Sequence, residues 1–194
     1  MLSSQIGPFE YVSILISLIL GLGITQLLSS YSDLLYNYKK VKFYWPHTLW
    51  ILFILFLHIQ DWFITYQLRN KPAWYLGELM FVLLYPITLF IISKMLVPNN
   101  ANEEKLNMKM FYESQFPIIF FLVCISALIS VLFNVILLDK SVMEQGLVLF
   151  LIAVLAYISY FKVQNNTVHK IIALLISLSS ILSIIVEEEV WIIK

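Results

Sequence analysis

Charge is what this sequence has least of. Charged residues make up 12% of its 194 positions and balance to a formal net charge of +0. A soluble domain is about 25% charged and about 45–50% apolar. Here 61% of residues are hydrophobic and mean hydropathy is +0.88. Polar side chains are too few to cover a folded surface in water, so lipid is expected to surround most of the chain. With no basic excess there is nothing to neutralise a phosphate backbone, which excludes nucleic acid as a direct partner. A single cysteine, Cys124, lies inside an apolar run. It excludes an intrachain disulfide, a cysteine zinc centre and a paired-thiol redox centre. The G-x-S-x-G, H-E-x-x-H and G-x-x-x-x-G-K-[ST] signatures are also missing. His58 is the only histidine in mid-segment, with His47 and His169 at segment starts. A haem held by two histidines of one chain is therefore not expected. The expectation is a protein that is not an enzyme and carries neither cofactor nor metal.

What is abundant is uninterrupted apolar sequence. A helix needs about 20 mostly apolar residues to cross a hydrocarbon core of about 30 Å. Six segments meet that need or come close: 9–36, 45–68, 73–97, 115–138, 146–161 and 168–193. The apolar runs are continuous rather than alternating, which argues against a β-barrel. The fold class expected is an all-α integral membrane bundle of about six transmembrane helices, forming one domain. The first segment has no preceding Lys or Arg and no clear cleavage site, so it reads as a retained span rather than a signal peptide. The longest connector runs from Pro98 to Ser114. Its Leu106, Met110 and Phe111 suggest a short helix lying in the interface. The two halves of the chain show no convincing similarity to support an inverted repeat.

Short-loop lysine and arginine set orientation. With the N-terminus outside, the inner loops carry Lys39, Lys40, Lys42, Lys94, Lys105, Lys109, Lys162 and Lys170. The outer side then carries Arg69, Lys71, Lys140 and Lys194. The bias favours both termini outside. It also places Tyr36, Tyr38, Tyr44 and Trp45 in an inner aromatic belt, with Trp74, Tyr75 and Trp191 in an outer one.

Against this apolar background the polar residues are informative. Segment one has Ser13, Ser17, Gly21, Thr25 and Ser29 at four-residue spacing, hence nearly on one helix face. Segment four repeats the device with Ser126, Ser130 and Asn134, and segment six with Ser179, Ser183 and Glu187. Such stripes let helix backbones approach closely, and packing within or between chains is the plain reading; pore lining is the functional one. In segment two, His47, Ile51, Ile54, His58, Asp61 and Thr65 share a face. An Asp at a helix centre costs about 2.5–3.5 kcal/mol on insertion scales, so Asp61 should face protein or water. His58 and Asp61 are spaced to hydrogen-bond. They read either as a proton or cation site, with Glu78 or Glu10 nearby, or as a neutralised pair that fixes packing. Glu78 begins segment three, where a helix N-terminus favours an acid. Pro86 should kink segment three. Glu187, Glu188 and Glu189 end segment six and could draw cations to a pore mouth, although a solvated helix end explains Glu188 and Glu189.

Several stretches are familiar as a set. They are Phe9-Glu10-Tyr11-Val12-Ser13-Ile14-Leu15-Ile16-Ser17 followed by Ile19-Leu20-Gly21-Leu22-Gly23-Ile24, then Tyr44-Trp45-Pro46-His47 with Leu49-Trp50. Gln60-Asp61-Trp62, Leu83-Leu84-Tyr85-Pro86 and Phe111-Tyr112-Glu113 complete it. Together they resemble a family of small polytopic membrane proteins of the bacterial inner membrane, over roughly the first 120 residues. The resemblance implies that location and supplies no mechanism, because the family has no assigned activity. An aromatic residue is common in the family where Asp61 stands, so a role for Asp61 would not be a shared one. Two functions remain open. One is a homo-oligomeric ion or proton channel or transporter lined by the polar stripes. The other is a non-transporting sensor or anchor for a cytoplasmic protein partner, such as a defence-system component.

Overall fold

The computed structural model describes residues 7–98 and 105–186. Six helices in it are long and apolar enough to cross a membrane. They are α1 (Pro8–Tyr36), α2 (Trp45–Thr65), α3 (Leu76–Met95), α4 (Met108–Leu137), α5 (Gly146–Tyr160) and α6 (Asn166–Val186), α5 reaching spanning length together with the turn before it, as Val142–Tyr160. A 3-10 turn, Tyr66–Leu68, extends α2, and another, Val142–Gln145, leads into α5. Two short strands, β1 (Val41–Lys42) and β2 (Leu106–Asn107), pair in parallel.

The helices start and stop for local reasons. Pro8 and Pro46 stand in the first turns of α1 and α2, where a missing N–H costs nothing. Asn107 caps α4, its side chain accepting from the Lys109 N–H at 3.1 Å, as N-cap side chains do. After α4 and α5 the chain turns through Asp139 (φ 52°) and Lys162 (φ 47°), left-handed residues of the kind that end helices.

Connector residues 105–114 differ from the sequence expectation. No separate interfacial helix forms: Leu106 joins β2, and Met110 and Phe111 belong to the first turn of α4. The capped α4 therefore begins at Met108, ahead of the span expected from Gln115. Its charged pair, Lys109 and Glu113, meets at 3.4 Å across one helical turn. Thirty residues make α4 about 45 Å long at 1.5 Å per residue, longer than a hydrocarbon core of about 30 Å. The early turns can thus stand in the headgroup layer. Residues from Glu187 onward, including Glu188, Glu189 and Trp191, lie outside the described residues, so α6 is described only to Val186.

α2 is the axis of the bundle, packing against α1, α3, α4 and α6. α1 lies mainly along α3, and α4 fills the space between α3 and α5. On α1 the buried face is Val12, Ile16, Leu20, Gly23, Leu27 and Leu34, a three-four pattern that turns one stripe inward. Outward stand Leu18, Leu22, Phe121, Leu128, Leu132, Phe150, Leu174 and Leu178. That apolar girdle is what a bilayer solvates and water does not.

The two ends of the bundle can be told apart. At one end β1 and β2 tie the α1–α2 and α3–α4 connectors, with a further bond from Leu106 N–H to Lys40 O at 3.0 Å. The starts of α2 and α6 join there through Tyr44 and Asn166. At the other end Phe9 at the start of α1 meets Tyr66 at the end of α2, ring centroids 6.2 Å apart. α1 starts and α6 finishes at this second end.

Candidate functional site

Asp61 stands four residues before the end of α2 at Thr65, about 6 Å along the axis. With the 3-10 turn the spanning segment runs Trp45–Leu68, so Asp61 lies nearer its middle than its end, and Tyr85, across a cavity from it, stands at the middle of α3. The Asp61 Oδ2 is buried and has no hydrogen-bond partner among the described residues. It borders this cavity, which is about 20 Å³ and lined by Gln60, Asp61, Ile64, Tyr85, Ser130 and Phe133. α2, α3 and α4 all contribute, and a space of this size holds about one water-sized particle. Gln60, Tyr85 and Ser130 likewise make no hydrogen bond to any described residue. Four polar side chains converge on one small space with nothing to bind but its contents.

His58 does not pair with Asp61. Its Nδ1 donates to the Ile54 carbonyl one turn back at 2.7 Å, and its Nε2 faces Ser93 Oγ at 3.5 Å. The ring is fully buried against Gly23 of α1, where an added Cβ would overlap Nε2. The expected i, i+3 bond loses to the i−4 carbonyl of the same helix, and glycine leaves room for the ring. His58 therefore belongs to the α1–α2–α3 contact, and Asp61 to the α2–α3–α4 contact.

The two glutamates expected near this pair lie elsewhere. Glu78 accepts from the Tyr75 N–H at 3.2 Å and from Lys71 Nζ at 3.1 Å, the helix-end arrangement its position favours. Glu10 is exposed and folds over Gly7 at the start of α1. Glu187 lies outside the described residues.

The stripes divide. On α1, Ser13, Ser17 and Gly21 are half-buried, Thr25 and Ser29 are exposed, and a Cβ added to Gly21 meets nothing within 4 Å. This stripe flanks the packed face and does not form it. On α4, Ser126 is buried and bonded to the Val123 carbonyl at 2.9 Å, Ser130 lines the Asp61 cavity, and Asn134 donates to Gln145 at 3.0 Å. Ser179 and Ser183 bond to carbonyls of their own helix, at Ile176 and Ser180. Pro86 is buried inside a continuous α3.

A second polar cluster, at the β1–β2 end, has no counterpart in the sequence expectations. His47 Nε2 donates to the Leu96 carbonyl at 2.6 Å. His169 Nε2 donates to the Val163 carbonyl at 2.7 Å, leaving Nδ1 to accept from the Tyr112 hydroxyl at 2.8 Å. The Tyr44 hydroxyl donates to Asn166 at 2.8 Å. Burial, with the Glu113 carboxylate adding to it, pushes the Tyr44 hydroxyl above its ordinary value, so it stays a donor. Phe116 stacks edge-on to His169 at 4.5 Å, and Trp50 packs on Phe120 at 4.8 Å. Its only sequence signal was histidine at two segment starts, because its partners come from different helices.

The larger cleft, about 390 Å³ between α5 and α6, is lined by Ala153, Val154, Tyr157, Ile158, Val163 and Val168. It offers almost wholly apolar walls. Among the described residues no group of three or more His, Cys, Asp or Glu could hold a metal ion. No protein family, curated protein or solved structure matches the chain.

Proposed function

We propose that this multi-pass membrane protein moves a proton or a small monovalent cation across the bilayer, with Asp61 as the group that takes up the charge. One observation carries the reading: a carboxylate in a spanning helix has a buried oxygen with no hydrogen-bond partner among the described residues. An ionised, unpaired carboxylate in a low-dielectric interior costs several kcal/mol, so such a group is neutral or holds a cation. The ion pairs among the described residues, Lys71–Glu78 and Lys109–Glu113, leave Asp61 out. α2, α3 and α4 meet at the cavity, so a shift of α2 against the other two would expose Asp61 to one side. Intramembrane acids of this kind mark ion and proton pathways.

The remaining features of the reading are a homo-oligomer, no catalysed reaction, and residence in a bacterial inner membrane. The lysine bias favours both termini outside, and the six long apolar helices suit a lipid bilayer. Protein reconstituted in liposomes should give a cation or proton flux, and Asp61→Asn should reduce it at least tenfold. Absence of flux across pH and voltage would overturn the reading.

A second reading, an anchor for a cytoplasmic protein partner, draws on one observation. The connectors pinned by β1 and β2 present exposed Lys39, Lys40, Lys42 and Lys105 at one end. Scrambling residues 39–42 should abolish partner capture under the anchor reading and leave flux intact under the first.

A further inference from the structure

Resting on that reading, we propose that the Asp61 cavity is a Na+ site, with Asp61, Gln60 and Ser130 supplying oxygen ligands and Tyr85 closing it. The donor set is the first argument. Asp61 Oδ2, the Gln60 amide oxygen and the Ser130 hydroxyl are hard oxygens, and none is engaged by another described residue. Elsewhere in the helices Ser93, Ser126, Ser159, Ser177, Ser179 and Ser180 each donate to a backbone carbonyl. Ser130 is left out of that pattern at the cavity wall. Buried polar groups are normally satisfied, so a buried unpaired carboxylate oxygen facing a cavity that part-buried Gln60, Tyr85 and Ser130 also line points to something in the cavity that satisfies it. A proton on Asp61 satisfies that carboxylate alone. A cation among the oxygens satisfies all of its ligands at once.

Charge and size narrow the choice. One carboxylate neutralises one positive charge. A divalent ion would leave a net charge buried at large cost, and calcium and magnesium ask for more oxygen ligands and usually more acid. A cavity of about 20 Å³ holds one bare ion and no hydrated one, and a carboxylate among so few ligands is a strong-field oxygen, which favours the smaller Na+ over K+. The local field is simple. α3 brings Tyr85, and α4 brings Ser130 and Phe133. α1 carries no acid, lysine, arginine or histidine between Glu10 and Asp33, and α6 carries none between Ile171 and Val186. On α2 itself His58 is committed to Ile54. Protons therefore compete with Na+ at Asp61 alone, and acid should weaken Na+ binding.

Thermal unfolding of the full chain in detergent tests this, in NaCl, KCl and choline chloride at equal ionic strength. NaCl should raise the midpoint above the other two salts in a saturable way, and less so at lower pH. Ser130→Ala and Gln60→Leu, which keep the acid, should each weaken the apparent Na+ affinity about tenfold, the effect of losing one ligand to a charged group. Asp61→Asn should abolish the Na+ response. Equal midpoints in the three salts, or a Na+ response that survives in Asp61→Asn or in both conservative variants, would overturn the Na+ assignment. Proton flux lost in Asp61→Asn with no Na+ response would sink this inference and leave the broader reading standing.

Discussion

Near the β1–β2 end of the bundle, His47, Tyr112, His169 and Tyr44 each hold a partner at 2.6–2.8 Å. Deeper in the bundle, Gln60, Asp61, Tyr85 and Ser130 share a cavity and hold no hydrogen-bond partner among the described residues. Both groups sit in a body that is otherwise aliphatic and aromatic, and both draw on α2 and α4. The first group joins the ends of α2, α3, α4, α5 and α6, and each of these bonds connects different segments of the chain. Such bonds rigidify what they join, while the buried Trp50 indole N–H beside them has no partner among the described residues. The second group has the polar atoms and lacks the bonds. Bonded polar groups act as a clamp, and an unpaired acid beside a cavity is available to a ligand.

That contrast can be broken from either side. The largest effect is expected from His169→Ala, which removes the ring packed on Phe116, strands the Tyr112 hydroxyl and frees the Val163 carbonyl. Losing two buried hydrogen bonds and the packing should cost about 3–5 kcal/mol. Denaturant titration in mixed micelles reads it. Protein that remains folded should keep its full Asp61-dependent flux, because the clamp does not touch the cavity. A smaller effect is expected from Gly23→Leu, which drives a side chain into His58. Overpacking of this kind costs about 1–3 kcal/mol. Two residues away, Gly21→Leu enters open space and should change stability by less than about 0.5 kcal/mol. Equal losses at Gly21 and Gly23 would mean that the stripe face of α1 is packed as tightly as the buried one.

Much of the fold was legible in the sequence. Six runs of apolar residues are enough to give six spanning helices, because backbone polar groups in lipid can be satisfied only within the helix. The start of α4 was less legible. Lys109 and Glu113 interrupt the apolar run, yet the helix continues through them, since they pair with each other and Asn107 caps the turn. Periodicity also showed that Ser13, Ser17 and Gly21 share a face, but not which way that face points. The same gap appears at the site. Asp61 stood out as an acid that lipid cannot accept, and Ser130 stood out in its stripe. That the two line one cavity with Tyr85 is a property of three helices packing together, and no local spacing reports it. His58 seemed the natural partner because it is three residues away. The carbonyl of Ile54 is closer to hand, and Gly23 fixes the ring beneath it. Tyr112 and His169 are bonded across 57 positions, beyond what pattern alone can connect.

Infrared difference spectroscopy of the purified protein tests the central claim most directly, because a protonated carboxyl has its own carbonyl stretch. In Na+-free medium a band should appear on acidification, disappear on adding NaCl or raising pH, and be absent in Asp61→Asn. A spectrum with no such band that depends on Asp61, between acid and alkaline limits at which the protein stays folded, would contradict the account.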